Sequence, residues 1–410
     1  MIDLPVRVLV VEDDPDWSDD MKSAIKEGDL SADFVSIGRD AEEYLEKKHY
    51  HLVSLDQKIP QVDGGALSLD VGVELTRSVR SRYPLTDMLV YTAYDKTEIG
   101  AGAGEEAPIL HKNELDGSGT SPDGWAIEVS RRLQNYLPFY FRRAGDTLPP
   151  HLASISAFLH RGLEDEQWHR CIAHAFDFWT LTLRLALAQA QALSRRAGTR
   201  CLTANQDSYE AIEQALGGML ASLPPDQLAC WRPYIGAGGK KGGVGRRFLE
   251  QGSGCLRRKR NEFVHNTSLT PGKSVFDELR EPLFQVMDAA AFWASFPMVT
   301  QVEQRDHGFQ GDFLQGSAYP WPRHELVAPA GTRFDKEHVY LKWHDDDGEV
   351  EWIDLWPFIH TEFDKRLGRH VVWVVGNRWK DHWYRCSLQT GETSRWHHPP
   401  EDALRVSRQG

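Results

Sequence analysis

Short β-branched runs alternate with amphipathic stretches through the first 137 residues. VRVLVV (6–11), DFVSIG (33–38), HLVSLD (51–56), DMLVYTA (87–93) and PILHK (108–112) predict five strands. Helical periodicity covers about 16–27, 39–48, 67–82 and 124–137 between them. That alternation predicts a doubly wound α/β unit, a five-stranded parallel sheet with helices on both faces. The fourth connection, EIGAGAGEEA (98–107), is too rich in glycine for a firm helix.

The pattern then changes twice. After a break at RRAGDTLPP (142–150), long helical stretches follow at about 151–163, 165–197, 206–222, 246–266 and 275–295. Apolar residues recur at three-and-four spacing in DFWTLTLRLALAQAQAL (177–193), which predicts an all-α bundle. From about 325 the chain reads VYLKW (339–343), EVEWIDL (349–355), HVVWVVG (370–376) and WYRCSL (383–388), separated by turn-forming segments. Eight of the fourteen tryptophans fall between Trp321 and Trp396, and a small antiparallel β module is expected there. The chain is therefore read as multidomain: 1–140 α/β, 150–300 all-α and 325–400 tryptophan-rich β, with 316–331 as a Pro/Gly-rich linker.

Charge sharpens this division. The formal net charge of −13 lies wholly in residues 1–137, which hold 14 Lys+Arg against 27 Asp+Glu and leave 33 of each for the rest. Within that neutral remainder, Lys240, Lys241, Arg246, Arg247, Arg257, Arg258, Lys259 and Arg260 gather around a single acid, Glu250. Such a cluster attracts phosphates, RNA among them, although charge runs are more often solvated surface. Five cysteines (Cys171, Cys201, Cys230, Cys255, Cys386) lie far apart without a CxxC pair, so reduced thiols are expected rather than a disulfide framework or zinc site. No apolar run approaches the length of a membrane span and MIDLP leads directly into a strand, so no membrane contact and a cytoplasmic location are expected.

Candidate chemistry collects at the strand ends of the first domain, where an open parallel sheet gathers its loops. Glu12, Asp13 and Asp14 follow the first strand, Asp56 the third, Thr92 ends the fourth and Lys112 the fifth. Carboxylates held together repel one another, and a hard divalent cation such as Mg²⁺ relieves that repulsion. Asp56 is placed to act as a nucleophile toward phosphorus, with Lys112 and the Thr92 hydroxyl contacting the product. These elements, VEDD (11–14), SLDQKIPQVDG (54–64), VYTAY (90–94) and LHKN (110–113), resemble the response-regulator receiver family over about 137 residues. The resemblance implies phosphorylation of Asp56 by a sensor histidine kinase or phosphotransfer protein. It also implies Mg²⁺ held by Asp13, Asp14 and Asp56, a switch hydroxyl at Thr92 and the family's lysine at Lys112. Ile109 stands where the family has a switch aromatic, and Asn113 replaces a proline.

In the helical region, RRKRNEFVHNTS (257–268) places Arg260 and His265 about 1.4 helical turns apart. Histidine could serve as a general acid or base, and arginine could stabilise charge on a phosphate. RNEFVH resembles the motif of the HEPN superfamily, whose RNases would make Arg260, Asn261 and His265 a metal-independent endoribonuclease site, composite across a homodimer. PYIGAGGKKGGVGRRF, followed by this motif and a tryptophan-rich β domain, also resembles an accessory module of bacterial kinase and signalling proteins. On that resemblance the three residues cap and brace helices. GAGGKKGGVG (236–245) fails the phosphate-loop pattern, because glycines follow Lys240 and Lys241 and no strand precedes them. In the β module the tryptophans are expected mainly as core, with recognition as its role, and the adjacent His397 and His398 do not suggest a metal site. The expected function is a phosphorylation-controlled signalling effector with RNA cleavage as its sharpest output. The alternative is a non-catalytic adaptor or decoy that binds a partner through the helical and β regions.

Overall fold

The computed structural model describes residues 7–26, 31–47, 50–94, 107–112, 120–134, 136–198, 208–225, 228, 231, 234, 246–265, 272–306, 308–317, 319–344, 350–379, 382–390 and 392–397. The chain divides into two compact units, Met1–Arg143 and Ala144–Gly410. The glycine-rich segments 98–106 and 236–245, together with Asn113, Cys201, Cys230, Lys240, Lys241 and His398, lie outside the described residues.

In the first unit, β1 (Arg7–Val11), β2 (Ser31–Val35), β3 (Leu52–Leu55), β6 (Asp87–Thr92) and β7 (Ile109–His111) form one parallel sheet in the order β2-β1-β3-β6-β7. A two-residue pair, β4 (Ile59–Pro60) and β5 (Leu67–Ser68), stands apart from it. Helices α1 (Pro15–Lys26), α2 (Gly38–Lys47), α3 (Leu69–Arg82) and α4 (Pro122–Gln134) alternate with the strands, and α5 (Tyr136–Thr147) follows. Period-two alternation sorts the strand side chains into two cores. Leu9, Val11, Val53, Leu55, Met88 and Val90 pack with Ala41, Leu45, Leu75 and Val79, while Val8, Val10, Leu52, Leu89 and Tyr91 pack with Met21, Ile25, Trp125 and Val129. Each Val, Leu, Ile or Met among them stabilises the fold by roughly 1.5–3 kcal/mol when fully buried. The second strand sits slightly earlier than DFVSIG suggests, because α2 already begins at Gly38. Close packing brings α3 against the turn after β3: a Cβ on Gly72 would stand 2.1 Å from the Gln57 carbonyl oxygen.

The second unit is built around α7 (Trp168–Arg196), which has α6 (Pro150–Glu164) before it and α8 (Tyr209–Ser222) after it. The single helix expected over 246–266 is instead a π-helical turn, Arg246–Ser253, followed by α9 (Gly254–His265). Gly252 and Gly254 mark the change, since a Cβ at either would press on Gln285 and Val286 or on the Leu249 carbonyl. The helix expected over 275–295 breaks at Ala291 into α10 (Lys273–Ala290) and α11 (Phe292–Ser295).

β structure begins well before residue 325. Strands β8 (Met298–Arg305), β9 (Gly308–Phe313), β10 (Arg323–Leu326), β11 (Val339–His344) and β12 (Val350–Asp354) form a sheet ordered β10-β9-β8-β11-β12. A register shift between Thr300 and Glu303, with Gln301 at φ 50°, interrupts the alternation in β8 and hides the strand from a periodicity reading. The expected linker 316–331 contains β10, whose first three residues are exposed and carry no apolar signal. β13 (Ile359–Asp364), β14 (Arg369–Trp379), β15 (His382–Ser387) and β16 (Thr393–Trp396) complete a second antiparallel sheet. These helices and both sheets fall within the compact unit Ala144–Gly410. Among the described residues, no helix is long and apolar enough to cross a membrane.

Candidate functional site

Asp56 follows β3, and its backbone N–H donates to the Val11 carbonyl, which fixes it beside the end of β1. Its carboxylate is buried and fully engaged. Oδ1 accepts from the Thr92 hydroxyl at 2.8 Å and from the Lys58 backbone N–H at 3.3 Å, and Oδ2 accepts from Lys112 Nζ at 2.6 Å. Thr92 lies at the end of β6 and Lys112 one residue after β7, so parallel pairing of β3, β6 and β7 brings three distant sequence positions together. The Lys112 ammonium also stands 2.9 Å from both carboxylate oxygens of Glu12.

Glu12, Asp13 and Asp56 offer ligand oxygens that all lie within 4.8 Å of one another, and no second group of three potential ligands occurs among the described residues. Burial pushes the Glu12 carboxyl up to about 7, and the Asp56 charge adds to that shift while Lys112 opposes it. Asp13 is raised as well, by burial first and then by the Asp56 charge. For Lys112, burial is the largest influence and lowers its pKa, but Asp56 and Glu12 together outweigh it and hold the ammonium above its ordinary value. Three carboxylates against one ammonium leave surplus negative charge. Three hard oxygen donors, two of them buried and Asp13 partly so, suit a divalent cation of the Mg²⁺ type.

Asp14 does not join this cluster. Its Oδ1 accepts from the backbone N–H groups of Asp16 and Trp17, so it caps α1 and faces solvent. Glu12, not singled out as a ligand from sequence, takes its place: its N–H bonds Val35 and its side chain turns inward. The surroundings of Lys112 carry no sequence signal: its ammonium stands over the rings of Trp17 and Tyr91. A second such contact runs from Lys58 Nζ to the Tyr94 hydroxyl at 2.9 Å. Ile109 is partly buried against the core on one face of the sheet.

In the second unit, Arg260 lies over the Tyr209 ring at 5.1 Å, while Asn261 and His265 are exposed on α9. The basic neighbours are paired within the fold. Arg257 bonds Glu213 at 2.8 Å, Lys259 contacts Glu278 and Glu262, and Arg258 contacts Cys255. Ser253 accepts from the Trp179 indole at 2.6 Å and donates to Glu213 at 2.6 Å, which ties the π-helical turn to α7 and α8. Arg385 sits over Trp373 at 4.3 Å and bonds Glu362 at 2.5 Å in the second sheet. Side-chain bonding to His360, joined by that to Arg385, holds Glu362 down to about 2.

The family model described as the response regulator receiver domain matches residues 8–106. Among solved structures, the chain is similar to a CheY-like receiver domain protein from Methanospirillum hungatei, with 16% identity and a TM-score of 0.28, covering 32% of this chain and 97% of that one. It is similar to the receiver domain of a putative Luxo repressor protein from Vibrio parahaemolyticus, with 21% identity and a TM-score of 0.27, covering 32% and 93%. A third is the response regulator protein TrrA from Thermotoga maritima in complex with Mg²⁺-BeF, with 20% identity and a TM-score of 0.25, covering 32% and 98%. No curated protein matches the sequence. Residues 8–106 are a response regulator receiver domain, the module of two-component signalling.

Proposed function

We propose that this protein is a phosphorylation-controlled signalling regulator whose acceptor is Asp56. The observation that carries this reading is the convergence of Thr92 Oγ1 and Lys112 Nζ on the two oxygens of one buried carboxylate, next to Glu12 and Asp13. A carboxylate oxygen of Asp56 attacks phosphorus, the bond from phosphorus to the donor's leaving group breaks, and the leaving group departs with the electron pair. Lys112 and the Thr92 hydroxyl then meet the phosphoryl oxygens, supplying positive charge and a hydrogen bond where negative charge accumulates. Glu12, Asp13 and Asp56 would hold Mg²⁺, which when bound neutralises charge on the phosphoryl oxygens. The donor is a histidine kinase or phosphotransfer protein, as a receiver domain implies. Incubation with acetyl phosphate and Mg²⁺, followed by borohydride reduction and peptide mapping, should place the modification at Asp56; modification at another aspartate instead would sink the reading.

For the output we favour an adaptor that binds a partner through its second unit. The basic side chains in and beside the RNEFVH segment support this, because Arg257, Lys259 and Arg260 are held by Glu213, Glu278 and the Tyr209 ring rather than presented to a phosphate backbone. The second reading, RNA cleavage by Arg260, Asn261 and His265 in a homodimer, draws on the exposure of Asn261 and His265. Total RNA incubated with phosphorylated and unphosphorylated protein separates the two: cleavage that His265→Ala abolishes supports the nuclease, and intact RNA throughout supports the adaptor.

A further inference from the structure

Four groups surround the Lys112 ammonium, and two of them are uncharged. Besides Glu12 and Asp56, the ring centroids of Trp17 and Tyr91 lie 5.5 Å and 5.9 Å away. Both distances fall within the roughly 6 Å over which a ring face attracts a cation. The rings come from different elements, α1 and β6, and meet edge to face with centroids 5.7 Å apart at 84°. Tyr91 is braced at both ends. Its hydroxyl donates to the Thr120 carbonyl at 2.7 Å, and its ring stacks on Trp125, whose indole N–H donates to Ser54 at 2.8 Å.

Two aliphatic side chains would fill similar space, so packing alone does not call for aromatic rings. What the rings add is attraction for a cation without net charge of their own. A further carboxylate would also hold Lys112, but it would neutralise the ammonium and compete with phosphoryl oxygens for it. When Asp56 becomes an acyl phosphate, Lys112 exchanges part of a carboxylate contact for phosphoryl oxygens, and the rings remain as its fixed partners through that exchange.

We propose that Trp17 and Tyr91 form an aromatic seat that positions Lys112 Nζ for phosphoryl transfer to Asp56. They are positioning residues acting through Lys112, and the inference rests on the reading of Asp56 as acceptor.

The test measures initial rates of phosphoryl adduct formation by the full-length protein, by intact mass, across acetyl phosphate and Mg²⁺ concentrations. Tyr91→Phe, which keeps the ring, should stay within about twofold of wild type, whereas Tyr91→Leu and Trp17→Leu should each lower the saturated rate by roughly tenfold. Their half-saturating Mg²⁺ concentration should not move, because Glu12, Asp13 and Asp56 are untouched. The same substitutions placed in Lys112→Ala, read over longer incubations, should cost nothing further, as expected for residues acting through the lysine. Equal losses with and without Lys112, wild-type rates in both leucine variants, or losses accompanied by a shifted Mg²⁺ dependence would overturn the seat. Trp17→Leu, at a half-buried helix position, carries the comparison by itself if Tyr91→Leu melts too low to assay. Absence of any adduct on the wild-type protein is a different failure, since it removes the Asp56 reading and the seat together.

Discussion

Replacing Glu12 by Gln should change how stability depends on pH, with a sign fixed by the site. Glu12 is 3% exposed, and burial raises its carboxyl from an ordinary 4.5 to about 7. Between those two values the folded protein keeps a proton that the unfolded chain has released. The stability that Glu12 contributes is therefore complete below about pH 4.5, declines as pH rises, and levels off above about 7. At about 1.4 kcal/mol per tenfold change, the decline is on the order of 3 kcal/mol. Gln preserves the shape without titrating, so wild type should lose this amount relative to Glu12→Gln between pH 4.5 and 7.5 in the presence of a chelator. Urea unfolding of both full-length proteins across that range provides the measurement, read in the transition that the substitution displaces, because two compact units need not unfold together. Mg²⁺ should flatten the difference, because it favours the ionised carboxylate. A stability difference that stays constant or grows in wild type's favour with rising pH would refute the reasoning.

Other substitutions probe the same construction elsewhere. Gly72→Ala should destabilise the first unit by at least about 2–3 kcal/mol in urea unfolding, since its Cβ would stand 2.1 Å from the Gln57 carbonyl and the two backbones must separate. Ser253→Ala should lower the stability of the second unit by about 1–3 kcal/mol, because the Trp179 indole and the Glu213 carboxylate both lose a buried partner. In Mg²⁺ titrations Asp13→Asn should weaken binding about tenfold while Asp14→Asn leaves the midpoint in place, as expected if one belongs to a hard-cation site and the other caps a helix. Equal weakening by both would return Asp14 to the site.

Much of the first unit was legible because parallel strands impose their own geometry. Once Asp56, Thr92 and Lys112 were read at strand ends, pairing of β3, β6 and β7 had to bring them together. The acidic run after β1 was harder, since three consecutive acids differ only in where the chain turns. Asp14-Pro15 is itself a helix-start signal, with an Asn/Asp-type cap followed by proline at the first helical position, and it could have separated Asp14 from Glu12 and Asp13. The seat around Lys112 left no periodic trace, because Trp17 and Tyr91 occupy ordinary apolar positions of a helix and a strand. In the second unit the helices were readable from apolar spacing, yet β8 was not, because its bulge interrupts the alternation. Arg260 shows the limit of a short motif. Its spacing to His265 was visible in the sequence, but the Tyr209 ring beneath it comes from another helix, some fifty residues earlier.

The role of Asp56 is tested most directly by intact-mass measurement of wild type and Asp56→Asn after incubation with acetyl phosphate and Mg²⁺. Asn keeps the volume of the side chain and its contact with Thr92 but lacks the nucleophilic carboxylate oxygen. A single phosphoryl adduct on wild type and none on Asp56→Asn is the expected result. The same adduct on both proteins, or on neither, would contradict it.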